Sequence, residues 1–396
     1  MSLTVPSIRA LPGALLFAAI AVGVGACSSG DGGLDPSQGH LIFLPRTDGD
    51  YDIRVPSPDR NQPLTVSDVF PWDAAPVWSP DGSKIAFYGD RVFNIADRDD
   101  NVDLYVMNAD GSGLTRLTEN PQPDAFPVWS PDGTRIAFYS ERDGDGEMYI
   151  MAADGTNIER VTNTVGVDVP YQWSADGSQI LFGSNREGNF DVLLIGADGE
   201  GLRNLTPGGS QDFAAAWSPD GSRIAYQSDG AGSMDIILMD AEGGNKVNMT
   251  ISPLEDSGPV WAPDSQRLAF VSSRDGNREV YVLDTVLSYL TRISGTPRDD
   301  IQPAWSPGGV EVGFISLRDF NPELYISNIN GLASTRVTED PGWDANPAWS
   351  PDGAHVAFSS YREGRRDIYL ISASGGELVR LTTDEAAPAA AAIATR

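Results

Sequence analysis

The sequence predicts an all-β chain, a β-propeller of four-stranded blades. A tryptophan-centred segment, of which Pro347-Ala-Trp-Ser350 is an example, recurs at Trp78, Trp129, Trp173, Trp217, Trp261, Trp305 and Trp349. The steps are 51 residues and then, five times, 44 residues. A fixed period of this length belongs to propellers and solenoids, and it outweighs any local secondary-structure preference. Between successive tryptophans lie the remaining β-rich runs, separated by Gly-containing turn signals, which suits a four-stranded blade.

Within a repeat the strands are named a to d. Strand a holds the tryptophan and ends in a Pro-Asp-Gly turn such as Pro131-Asp132-Gly133, where proline presets φ and glycine takes the positive φ that the turn needs. Strand b begins seven residues past the tryptophan, as in Ile136-Ala-Phe138 and Ile224-Ala-Tyr226, and is β-branched and aromatic. Strand c includes Glu147-Met-Tyr-Ile-Met151 and Asp367-Ile-Tyr-Leu-Ile371, and Asp-Gly or Asn-Gly hairpin signals follow it. Strand d is the Arg-Leu-Thr run, such as Arg116-Leu-Thr118.

Upstream, His40-Leu-Ile-Phe43, Asp52-Ile-Arg-Val55 and Leu64-Thr65 supply strands b, c and d of one further unit. At the other end, Glu385-Ala-Ala-Pro388-Ala-Ala390 matches Asp73-Ala-Ala-Pro76-Val-Trp78 position for position. These ends predict eight blades, closed by pairing of N- and C-terminal strands; if the alanine-rich tail stays outside, seven is the alternative. Closure removes the sheet edges that invite aggregation.

Three segments are expected: a signal peptide over 1–26, a tether over 27–39 and the propeller over 40–396. Arg9, the uncharged run Ala10 to Ala26 and small residues before Cys27 have the form of a secretory signal. Cys27 resembles the lipidated first residue of a mature bacterial lipoprotein, and Ser28 to Gly39 reads as a flexible tether. The expected setting is the cell envelope, lipid-anchored to the outer membrane and facing the periplasm. A formal net charge of −29 disfavours nucleic acid and anionic lipid, so attachment to the membrane would rest on the lipid alone.

At Trp-Ser-Pro-Asp-Gly, Ile-Ala-Phe and Asp-Ile-Tyr-Leu the chain resembles the TolB-type propeller repeat, a WD-like family, over about residues 40 to 390. The resemblance implies a secreted or periplasmic binding propeller. In that family TolB serves an envelope complex with a peptidoglycan-associated lipoprotein, and related propellers precede catalytic domains in peptidases.

Charged residues repeat in phase with the tryptophans. An acid lies five residues before each: Asp73, Asp124, Asp168, Asp212, Asp256, Asp300 and Asp344. An arginine lies 13 residues after six of the tryptophans, and a second acid (Asp103, Glu147, Asp191, Asp235, Glu279, Glu323 or Asp367) begins strand c. Folding the repeat at its turns makes the first acid and the arginine cross-strand neighbours, with the second acid expected on the arginine's other side. Mutual neutralisation would account for such ladders without a ligand. The functional alternative is a partner-binding rim of Asp73, Asp124, Asp168, Asp212, Asp235, Asp256, Asp300 and Asp344. Gly230 replaces the arginine in the repeat of Trp217, leaving Asp212 and Asp235 as a candidate calcium pair, although two strand spacings, about 9.5 Å, separate their strands. Trp72 and Trp343, with Phe126, Tyr171 and Phe213, are candidates to stack on a ligand at the channel mouth, or else to pack loops on the blades.

Neither His40 nor His355 is placed for a metal site or a Ser-His-Asp triad, and no nucleophile elbow, His-Glu-x-x-His or phosphate loop is present. The expectation is a monomeric, non-enzymatic scaffold binding an envelope protein, with no cofactor unless calcium binds. A small-ligand or glycan binder is the alternative, and a metal-dependent lyase or hydrolase a third.

Overall fold

The computed structural model describes residues 42–45, 51–54, 72–90, 101–319, 321–331, 333–340, 342–362 and 365–382. It divides into two units, Met1–Phe70 and Pro71–Arg396. In the first, Ile42–Pro45 and Tyr51–Arg54 form an antiparallel pair. These are strands b and c of the unit expected upstream. The signal, Cys27, the tether, Leu64-Thr65 and the tail from Glu385 lie outside the described residues.

The second unit holds seven sheets, each of four sequence-consecutive strands in the order a-b-c-d. The blades span 72–116, 124–160, 168–204, 212–248, 256–292, 300–336 and 343–380. In blade 2, strand a is Asp124–Trp129, b is Arg135–Ser140, c is Glu147–Ala152 and d is Glu159–Arg160.

The recurring motif has a local explanation. Ser130 donates its hydroxyl hydrogen to Asp132 at 2.6 Å and accepts from the Arg135 amide at 2.9 Å, while Asp132 accepts from the Thr134 amide. Gly133 takes φ 68°. Serine and aspartate thus satisfy the turn's amides, and glycine meets its backbone demand. Strand a also carries a bulge: Ala125 pairs with Tyr139 and Val128 with Ala137, leaving two residues opposite one. Six blades place positive φ three residues before the tryptophan, at Ala75, Phe126, Ala214, Gly258, Gln302 and Asn346. Blade 3 has Pro170 there, which cannot take positive φ, and its bulge falls at Tyr171.

The tryptophans join neighbouring blades. Trp129, Trp173, Trp261, Trp305 and Trp349 each donate their indole N–H to a carbonyl in strand a of the preceding blade, at 3.0 to 3.2 Å. Trp78 donates in the same way to the Ala348 carbonyl of blade 7, at 3.1 Å. Ile85, Phe87, Tyr105 and Met107 of blade 1 pack with Ala357 and Ile368 of blade 7 and with Leu381, and Gly82 abuts Pro351 as Gly133 abuts Pro80. Blade 7 therefore closes directly on blade 1. The ring has seven blades, the alternative, and the preferred count of eight is corrected: the last-to-first junction is made like the others, leaving no place for a blade between them.

One junction lacks the indole bond. The Trp217 N–H is buried without a partner, while its backbone amide donates to Gln172. Removing a donor costs little where it is already unpaired, and about 1 to 3 kcal/mol where its loss leaves a buried acceptor unmet. Trp305→Phe is therefore expected to destabilise the protein by about 1 to 3 kcal/mol more than Trp217→Phe in urea unfolding; equal losses would contradict the broken ladder.

Candidate functional site

The rim where every strand a begins collects the periodic charges. In blade 2 the Arg142 guanidinium reaches both oxygens of Asp124 at 3.0 Å, donates through Nε to Ser140 at 2.9 Å, and lies over the rings of Phe138 and Tyr149. The same socket recurs as Arg186 on Asp168, Arg274 on Asp256, Arg318 on Asp300 and Arg362 on Asp344, with N–O distances of 2.8 to 3.4 Å. The expected pairing of first acid with arginine is thus present in these five blades.

The second acid departs from expectation. It is held by strand d of its own blade: Arg160 donates to Glu147 at 2.7 Å, Arg292 to Glu279 at 2.7 Å and Arg336 to Glu323 at 2.9 Å, and Arg116 pairs with Asp103. A Thr or Ser hydroxyl two residues beyond that arginine also donates to the acid, as Thr162 does to Glu147. Across the junction its like-charged neighbour is the first acid of the next blade. Burial is the main cause that raises the pKa of Asp103, Asp191 and Asp300, and the acid across the junction adds to it: Asp124, Asp212 and Glu279 respectively. Two constant spacings carry this signal in the sequence: 13 residues from acid to arginine and 15 to the hydroxyl.

These carboxylates are interior groups. Asp124, Asp168, Asp256 and Asp300 are 0% exposed, Asp344 1%, and Asp212 and Asp235 2%. Burial, opposed by Arg116, pushes Asp103 up to about 7, and burial raises Asp300 to about 6. With the folded-state value raised, the protonated form favours folding. That contribution is full below about 4, the ordinary carboxylate range, and is lost as pH rises through 6 to 7.

Asp212 and Asp235 stand on strands a and c, each opposite Ser228 of the strand b between them. Asp235 accepts from Asn248 at 2.8 Å and the Ser252 amide at 3.1 Å, whereas Asp212 accepts from Ser210 at 3.2 Å and faces Asp191. Among the described residues no group of three or more His, Cys, Asp or Glu is placed to hold a metal ion.

Of the aromatics, Trp343 is half-buried and pairs with Tyr361 in a lengthened blade 7. Phe126 packs between Tyr88 and Tyr139 of two neighbouring strands b, and Phe213 against Phe190, so both rings have partners within the blades. The hydroxyl of Tyr171 lies where a side chain on Gly183 would be, at 2.1 Å from its Cβ position. Trp72 and Asp73 lie in strand a of blade 1; their side chains are outside the described residues.

The rim offers solvent both charged side chains, such as Asp143, Asp275 and Glu339, and apolar ones. Ile251 is 80% exposed and Leu254 44%, in the loop from blade 4 to blade 5, and the Ser233 hydroxyl donates to the Ser252 carbonyl at 2.6 Å, tying that loop to the b–c loop of blade 4. Sequence reasoning missed this feature, because isolated apolar residues in a loop carry no period. At the opposite ends of the strands, Val286, Leu287 and Tyr289 are exposed where four other blades turn through Asp-Gly or Asn-Gly.

Comparison with known proteins places this geometry. Stretches 64–209, 161–257, 208–299 and 258–396 match the TolB beta propeller domain. The chain is 41% identical over 61 residues to the uncharacterized peptidase YuxL of Bacillus subtilis, covering 15% of this chain and 8% of that protein. It is 45% identical over 53 residues to the Tol-Pal system protein TolB of Anaeromyxobacter dehalogenans, covering 13% and 11%. The matched stretches thus span about a tenth of each of these relatives. Among solved structures, an oligogalacturonate lyase from Vibrio parahaemolyticus superposes with a TM-score of 0.63 at 15% identity, over 85% of this chain and 98% of that one, a likeness of fold alone. With matches running from residue 64 to 396, the chain belongs to the TolB beta propeller domain family.

Proposed function

We propose that the protein is a non-enzymatic propeller of the bacterial cell envelope, anchored through a lipid on Cys27, that binds a protein partner on the rim where strands a begin. The observation that carries this reading is the exposed Ile251 and Leu254 loop, on a rim whose periodic carboxylates are buried. Exposed apolar side chains bordered by polar loops suit protein contact. Relatives of this fold include a peptidase, a lyase and TolB, so fold does not choose among activities and the choice rests on the surface.

The test is crosslinking of the tagged protein in intact cells with mass-spectrometric identification, against a Cys27→Ala control. A specific envelope protein is expected, captured less by Ile251→Asp/Leu254→Asp and undiminished in Val286→Asp/Leu287→Asp. Capture that survives the first pair and is lost in the second would move the interface to the opposite face.

A further inference from the structure

Five blades show how this molecule holds a guanidinium: an aspartate, a serine two residues before the arginine, and an aromatic ring beneath. Across Arg142, Arg186, Arg274, Arg318 and Arg362, Nε meets the serine at 2.6 to 2.9 Å, and the guanidinium carbon lies 5.2 to 5.8 Å above the phenylalanine of strand b. Blade 4 keeps the three receiving groups as Asp212, Ser228 and Tyr226, and has Gly230 where the arginine belongs.

We propose that this socket in blade 4 receives an arginine side chain from a partner protein. Asp212 Oδ1 is buried with no hydrogen-bond partner, and Asp212 has no ion pair among the described residues. Asp168 and Asp256 also leave one oxygen unpartnered, but each gives its other oxygen to an arginine. The carboxylate across the junction, Asp191, is equally without an arginine: Asn204 stands where strand d of five other blades carries one, and donates at 2.8 Å. Two buried acids therefore meet with no arginine paired to either, a combination confined to this junction among those described; the one cation whose charge reaches Asp212 is Lys246, exposed just before strand d. Ser228 is 7% exposed where its five counterparts are 0 to 1%, so solvent reaches the place that the arginine covers elsewhere. A Cβ on Gly230 would meet nothing closer than Ser228 Oγ at 3.4 Å, an ordinary contact, and the exposed Ile251 loop stands beside the same b–c loop. Guanidinium is favoured over ammonium because carboxylate, serine and ring together match a planar fork that also stacks.

This deepens the partner reading and rests on it only for the source of the arginine. The probe is acetyl-argininamide, titrated into the purified protein and followed by thermal midpoint and by NMR of the tryptophan and glycine amides. Saturable stabilisation is expected, at least tenfold weaker with acetyl-lysinamide and lost in Asp212→Asn. Gly230→Arg fills the socket in cis and should melt higher without ligand and no longer respond. No response in the parent protein, an undiminished response in Gly230→Arg, or a shift reproduced by calcium chloride alone would each overturn the proposal. Partner capture that persists in Gly230→Arg would keep the partner reading while removing the arginine from it.

Discussion

Arg362→Ala is expected to lower the stability of the propeller by about 3 to 5 kcal/mol, the loss found when one member of a buried ion pair is removed. Arg362 is 8% exposed, donates to Asp344 at 3.0 and 3.1 Å and to Ser360 at 2.6 Å, and covers Phe358 and Tyr369. Without it, Asp344 keeps its burial and loses the largest influence opposing it, since burial raises its pKa and the charge of Arg362 comes first among the groups that lower it. The deficit should therefore shrink at low pH, where the carboxyl can protonate. Arg318, whose nitrogen stands 3.4 Å from Asp300, should cost less when replaced. Urea unfolding with an unchanged m-value measures both, and a loss below about 1 kcal/mol at Arg362 would place the pair in solvent, where such pairs contribute little.

Phe87→Ala and Phe182→Ala are expected to cost about 3 to 5 kcal/mol each, and to agree within about 1 kcal/mol. Both side chains are 0% exposed in strand b of their blades, Phe182 packed with blade 2 and Phe87 with blade 7. Equality follows only if blade 7 closes the ring as any other neighbour does. A loss at Phe87 of about 1 kcal/mol or less would mean that this face meets solvent rather than blade 7.

Much of the fold was legible because each blade repeats the same short-range solutions. The acid five residues before the tryptophan opens strand a in every blade but the first and last, where Trp72 and Trp343 precede it, and the second acid opens strand c in every blade but the last. The number of blades was not legible. Ile42–Pro45 and Tyr51–Arg54 have the pattern of strands b and c, and only the contacts of Trp78 with Ala348 and Gly82 with Pro351 settle which blade meets blade 1. A one-dimensional period reports offsets within a repeat and is blind to neighbours across a junction. For that reason the pattern points Glu147 to the arginine of its own b–c loop instead of to Arg160, and gives no sign that Asp191 meets Asp212. Burial was missed because charged residues are ordinarily exposed unless paired, and here nearly every rim acid is paired or hydrogen-bonded. Gly230 was visible as a break in the pattern; that it leaves an otherwise complete receptor for a guanidinium required the five sister sockets to be seen.

The central claim is that the rim carboxylates are interior groups that face one another across blade junctions. Site-resolved carboxyl titration of Asp103 and Asp300 by NMR, in selectively labelled protein, tests it most directly. The account predicts midpoints displaced upward, near 7 for Asp103 and near 6 for Asp300, with burial the main cause and Asp124 and Glu279 adding to it. Midpoints near 4 for both, the range of carboxylates in water, would contradict the account and return the rim to the role of a solvated acidic surface.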